Sequence, residues 1–187
     1  MWHVVLDSNA VILDLRPKEA AWSGLLRAVR EARVHVYLPD IVVDELVAHR
    51  PTVHQPDVAN AVAAVRALRD ARPDRLVDGL LGGGAGFTIL PYPDLPHREV
   101  ARRALARRRP FDPLGHDGYR DALVWESVLA LARTLSRERL VLVSRNRKDF
   151  AADDGSLHAD LRRDVAALTT GSTIVLVRDV GSLADLV

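Results

Sequence analysis

"DGYRDALVWESVLALA", residues 117–132, predicts a helix that carries a carboxylate where a core residue belongs. With about 100° of rotation per residue, Val124, Trp125, Val128, Ala132 and Leu135 fall within roughly 60° of Asp121. Ala122, Leu123, Leu129 and Leu131 cover the other side. A helix that is apolar nearly all round belongs in a protein interior. An ionised carboxylate there is costly unless a cation or hydrogen-bond donors meet it. Two readings are open. Asp121 sits in the first helical turn, where the helix dipole and free N–H groups favour an anion. Or it faces a cleft and serves a metal or a catalytic partner.

The composition narrows the classes. A chain of 187 residues can form one domain with a substantial core, or one domain with an insertion. Hydrophobic residues make up 48% and charged residues 27%, which fits a globular protein rather than a disordered one. A formal net charge of +1 names no partner. The absence of cysteine excludes disulfides, thiolate metal sites and cysteine nucleophiles, and is compatible with a reducing cytoplasm. Met1–Asp7 lacks a basic region followed by an apolar run, so no signal peptide is expected. No stretch approaches the ~20 apolar residues of a membrane span.

Outward from residues 117–132, strands alternate with helices. "HVVLD" (3–7), "RVHVYLP" (33–39), "FTILPYP" (87–93), "RLVLVS" (139–144) and "STIVLVRDV" (172–180) read as strands. Between them, 20–32, 40–50, 56–71, 97–109 and 157–168 read as helices, with Asp40 as an N-cap. Residues 75–86 read as irregular and 110–118 as a turn-rich loop. This order predicts α/β architecture: a central, mostly parallel five-stranded sheet between helical layers. A single domain over 1–187 is expected, with extra helical material inserted at about 51–116.

Parallel sheets bind ligands at the carboxyl ends of their strands. "DSN" (7–9) follows the first strand, Asp44 and Glu45 follow the second, and "RNRKDF" follows the fourth with Asn146 and Asp149. Asp121 lies in the helix leading into the fourth strand. Alone, "DSN" reads as a helix cap or turn. Four acidic or amide points, most of them at the same sheet edge, point to a site. Periodicity does not choose between Asp44 and Glu45, because both flank the Val42, Val43, Leu46, Val47 face equally. Glu126 lies about 140° from Asp121 round the helix, so it is either a salt-bridge partner elsewhere or a further acid of the site.

Taken together, "VVLDSNAVI", "LPDIVVDELVAH", "GYRDALVWESVL" and "LVLVSRNRKDF" resemble the PIN domain, and most closely a longer prokaryotic PIN-like branch. The resemblance covers roughly 1–50 and 110–180. It implies a three-layer α/β/α fold whose acids collect Mg2+ or Mn2+ for RNA phosphodiester cleavage. By motif it selects Asp7, Glu45 and Asp121. At the fourth position Asn146 stands where many relatives have an acid, and Asp149 precedes Phe150. Asp7, Asp121 and Asn146 or Asp149 would hold an ion, with Glu45 on a second ion or orienting water. Hard divalent ions favour such oxygen ligands, and carboxylates converging without a cation repel one another. Asn146 brings no charge, which speaks against a second tightly bound ion.

Basic residues supply the expected RNA contacts. The run 98–109 carries Arg102, Arg103 and Arg109 and abuts the Asp121 motif; it is either a solvated helix face or a phosphate track. Arg120, Arg145, Arg147 and Lys148 flank the candidate acids. "GGGAG" (82–86) lacks the Lys-Ser/Thr of a phosphate-binding loop, and "DSNA" lacks the elbow of a serine hydrolase. Two function classes remain. One is a metal-dependent endoribonuclease, acting as a toxin with an antitoxin or other protein partner, in defence, or in RNA processing. The other is a PIN-like module that binds RNA or protein with little or no cleavage. A homo-oligomer is compatible with either, and no membrane partner is expected.

Overall fold

The computed structural model describes residues 1–14, 19–48, 86–183 and 186. The expected helix at 56–71 and irregular stretch at 75–85 lie outside them. Five strands form one all-parallel sheet: β1 (Trp2–Leu6), β2 (Val34–Pro39), β3 (Phe87–Leu90), β4 (Arg139–Val143) and β5 (Thr173–Val177), in the order β3-β2-β1-β4-β5. The helices among the described residues are α1 (Ser8–Asp14), α2 (Glu19–Arg30), α3 (Asp40–Ala48), α4 (His97–Leu105), α5 (Tyr119–Thr134), α6 (Arg147–Phe150), α7 (Ala159–Ala166) and α8 (Val180–Leu183). The architecture is three-layer α/β/α. No described helix is long and apolar enough to cross a membrane.

The central strands are nearly continuous apolar runs because helices cover both faces of a parallel sheet. Val4, Val5, Leu6, Leu140, Val141, Leu142 and Val143 are fully buried. β5 lies at an edge and reads differently: Thr173 and Val175 are exposed on either side of buried Ile174. α5 presents the stripe its periodicity predicts, with Trp125, Val128 and Ala132 fully buried. Three helices were not expected, one of them α6 in the "RNRKDF" stretch after β4. Residues 8–14, whose first residues read as a turn or cap, form α1, and 180–183 form α8 where a strand was expected to end.

β1 pairs with β2 on one side and β4 on the other, in a register that sets Trp2 against Arg139 and Leu6 against Val143. The chain adds β2 and β3 in one direction and β4 and β5 in the other. The β1/β4 seam is therefore the point where strand order reverses, and the carboxyl ends of these two strands open a crevice between diverging connections.

Candidate functional site

The register carries past the strands. Asp7, the first residue after β1, donates its backbone N–H to Val143 O at 3.0 Å. Ser144, the first residue after β4, donates its hydroxyl to Asp7 Oδ2 at 2.6 Å. Asn9 Nδ2 donates to the same oxygen at 2.9 Å, and Ser8 N–H donates to Oδ1 at 2.7 Å. Asn9 Oδ1 accepts from the Arg145 backbone N–H at 2.8 Å, which ties the start of α1 to the loop after β4. Asp7 is only 3% exposed. Its carboxyl is pushed above the usual range by burial; the Ser144 and Ser8 hydrogen bonds oppose this, and repulsion from Glu45 adds to it.

Asp121 enters from α5. Asn146 Nδ2 donates to Asp121 Oδ1 at 2.8 Å, while the Asn146 backbone N–H donates to Ser144 Oγ at 3.1 Å. Asp7, Ser144, Asn146 and Asp121 thus form one hydrogen-bonded chain across the seam. Burial, opposed by the Asn146 bond and aided by repulsion from Asp7, Asp149 and Glu45, raises the Asp121 carboxyl to about 6. Asp121 thus occupies the first turn of α5 and lies within electrostatic reach of other acids.

The remaining acids are held by arginines. Glu45, on α3, pairs with Arg120 at 2.7 Å; the carboxylate side chain is 12% exposed and the arginine 64%. Neighbouring Asp44 instead accepts from the Tyr92 hydroxyl at 2.5 Å. Asp149, on α6, pairs with Arg109 at 3.4 Å. Each candidate acid has its own donor, and among the described residues no three His, Asp or Glu side chains gather closely enough to hold a metal ion. The donor chemistry still fits a hard divalent cation: oxygen atoms from carboxylates and an amide, with Asp7, Glu45 and Asp149 all close enough to raise the Asp121 pKa.

A family model described as PIN domain matches residues 60–150. The match supports a PIN domain. The matched stretch includes Asp121, Asn146 and Asp149 and runs through much of the segment expected to be an insertion, while Asp7 and Glu45 precede it. No curated protein and no solved structure matches the chain. PIN domains are generally nucleases acting on nucleic acid and typically use divalent metal ions.

The glycine of Gly-Tyr-Arg-Asp has a steric role. Gly118 precedes α5 with φ +116°, and a Cβ there would lie 2.5 Å from Pro110 O and 2.7 Å from the Phe111 Cα. Only glycine admits that approach, and the approach sets where α5, and so Asp121, begins. Trp125 and Glu126 serve packing. Trp125 Nε1 donates to Asp164 Oδ2 at 2.9 Å, and Glu126 pairs with Arg103 at 3.7 Å, so Glu126 is a salt-bridge partner on the far side of α5 from Asp121.

The basic residues separate into two groups. Arg103 turns inward: its side chain is 9% exposed and bonds to Asp164 at 2.5 Å and to Arg109 O at 2.7 Å. Arg109 is half-buried against Asp149 and Phe111 O. Arg145 is half-buried beside Asn9. Arg102, Arg120, Arg147 and Lys148 are exposed. Sequence reasoning missed Ser144 and read Asn9 only as part of the "DSN" cap or turn. The signal for Ser144 was its place directly after a buried strand, equivalent to that of Asp7, but the pairing of the two strands was needed to use it.

Proposed function

We propose that this PIN domain is a cytoplasmic endoribonuclease that cuts RNA phosphodiester bonds with Mg2+ or Mn2+ held by Asp7, Glu45 and Asp121, together with Asn146 or Asp149. The observation that carries this reading is the hydrogen-bonded chain Asp7–Ser144–Asn146–Asp121 across the β1/β4 seam, with Glu45 and Asp149 near enough to raise the Asp121 pKa. When bound, a divalent cation makes water more acidic and offsets charge on the phosphate oxygens.

The chain's own groups prepare that chemistry. Ser144, Ser8 and Asn9 fix both oxygens of Asp7, so its orientation is set before any ligand arrives. Asn146 fixes one oxygen of Asp121 and leaves Oδ2 for a ligand or a water proton. With a pKa of about 6, Asp121 is mostly ionised above neutrality yet basic enough to accept a proton. Arg120 holds Glu45 at the edge of the crevice, where the pair can part to orient water. Arg102, Arg120, Arg147 and Lys148 are exposed and suit RNA phosphates; Arg103 belongs to the fold, Arg109 holds Asp149, and the Arg145 backbone N–H ties the loop after β4 to Asn9.

A second reading, a PIN-like module that binds RNA or protein without cutting, is favoured by Asn146 in place of an acid and by the separated carboxylates. The two divide on one assay. Pooled RNA is incubated with wild type and Asp7→Asn, with Mn2+, with Mg2+ and with chelator. Cleavage by wild type that needs the ion and is lost in the variant supports the nuclease; RNA binding without metal-dependent cleavage supports the module. A toxin role adds growth arrest on expression, relieved by an antitoxin.

A further inference from the structure

Behind the candidate acids, on the other side of α6, lies a cavity of about 550 Å³ that neither the cation nor the scissile phosphate of the proposed reaction uses. Arg109, Arg147, Lys148 and Arg162 line it, against one acid, Asp153. Arg147, Lys148 and Arg162 form no ion pair with a carboxylate among the described residues. Arg162 is nevertheless positioned, because its Nη1 donates to Leu157 O at 2.8 Å and to Ser156 Oγ at 3.0 Å. Its other donors remain for a ligand. The His158 ring also lines the cavity, and its Nδ1 accepts the Asp160 N–H at 3.1 Å. In the neutral ring the proton therefore sits on Nε2, which makes that nitrogen a donor.

We propose that this cavity binds the nucleotide flanking the scissile bond of a single-stranded RNA, with its backbone phosphate on Lys148, Arg147 and Arg162. The inference rests on the ribonuclease reading above and adds Arg162 and His158, on an element that reading does not use. Three observations favour a nucleotide. Four cations line the cavity against one acid, and Arg147 and Lys148 form no ion pair among the described residues, which calls for an anion. Ala151, Ala152 and Ala159 line the remaining wall, so small side chains leave room for a ribose or base beside the phosphate. The cavity also adjoins the acids: Arg109 lines it and bonds Asp149, and α6 carries Arg147 and Lys148 on the same turn as Asp149. An acidic peptide shares the charge but has no phosphodiester to present to the candidate acids.

The test is fluorescence anisotropy of a labelled short single-stranded RNA in chelator, over a range of salt concentrations, on wild type, Lys148→Gln and Arg162→Gln. Each variant should weaken binding about tenfold, the size of one charge-assisted contact. Each should also lower the salt slope by about 0.7, the value for one phosphate contact on a single strand. Lys148 makes no hydrogen bond or ion pair among the described residues, so Lys148→Gln keeps the test clear of folding; for Arg162, restoration by Arg162→Lys separates charge from the Ser156 and Leu157 bonds. Unchanged affinity and slope in both variants, or no RNA binding by wild type, overturns the cavity. So does polyglutamate that displaces RNA and binds more tightly than it. If RNA binds through Lys148 and Arg162 but is never cut when Mn2+ is added, the cavity stands and the nuclease falls. If RNA is cut and the variants bind it as wild type does, only the cavity falls.

Discussion

Ser144 and Asp7 lie 137 positions apart in sequence and share a 2.6 Å hydrogen bond at the seam where the sheet reverses its strand order. The bond joins the first residue after β1 to the first after β4, and Asn146 extends it to Asp121. Replacing Ser144 with Ala removes one donor from a buried carboxylate and the acceptor for the Asn146 N–H. A loss of about 1–3 kcal/mol is expected, together with a further rise in the Asp7 pKa. Chemical denaturation measures the first effect. Cleavage should fall at neutral pH and recover partly at higher pH. A flat pH response would separate Ser144 from the ionisation of Asp7.

The pH dependence of stability follows from Asp121. Its pKa is raised by burial to about 6 in the folded chain, against 3.8 for an ordinary Asp. The folded state then binds more protons than the unfolded state between those two values, so this group adds stability as pH falls from about 7 to about 4. The contribution is of order 2–3 kcal/mol. In metal-free buffer, Asp121→Asn should melt higher than wild type near neutrality, and the gap should close in acid. A variant that melts lower at every pH would make Asp121 a structural carboxylate.

Arg103 is expected to matter to folding before it matters to RNA. Its guanidinium meets Asp164 and Glu126, its Nε meets Arg109 O, and Trp125 donates to the same Asp164 oxygen. Breaking a buried pair strands the other charge, so Arg103→Gln should cost about 3–5 kcal/mol. Adding Asp164→Asn should recover part of it. Exposed Arg102, paired with Glu99 at 3.1 Å, should show the reverse: Arg102→Gln leaves the melt unchanged and lowers the salt slope of RNA binding.

Gly118→Ala places a Cβ against Pro110 O and the Phe111 Cα at a positive φ. The strain of about 1–3 kcal/mol falls at the start of α5, three residues before Asp121. Thermal melting should register it, and cleavage should drop more than the melt alone accounts for at a temperature where the variant is folded. An unaffected melt would mean that the 110–111 backbone is free to yield.

Much of this fold was legible in the chain. Five strands and the stripe of α5 were readable because burial on both faces of a parallel sheet leaves a nearly unbroken apolar run, and because Trp125, Val128 and Ala132 keep helical spacing. The first residues of α1 were read as a turn because Asp7, Ser8 and Asn9 are good caps, and capping residues do not reveal how long a helix follows. The candidate acids were named through their motifs. Their partners were not, since Ser144 reaches Asp7 only through strand order, and Arg103 reaches Asp164 only through the packing of α4 near α7. A helical wheel places Arg103 on a face without saying what that face meets.

The fourth ligand position separates two chemistries. Asn146 spends its amide on Asp121, and Asp149 is held by Arg109. Asp149→Ala should cost more activity than Asn146→Ala, since a carboxylate offsets cation charge better than an amide. Asn146→Asp should tighten Mn2+ binding by adding a charged oxygen. Equal activities in the two alanine variants would remove Asp149 from the site.

The central claim is that these acids recruit a divalent cation in order to cut RNA. Calorimetric titration of Mn2+ into wild type and Asp121→Asn, with RNA cleavage followed in the same samples, tests it most directly. The account predicts saturable binding by wild type, at least about tenfold weaker in the variant, where losing a charged ligand costs 1.4 kcal/mol or more, and cleavage that rises with occupancy and is lost with it. Equal Mn2+ affinity in the two proteins, or wild-type RNA cleavage by Asp121→Asn, would contradict it.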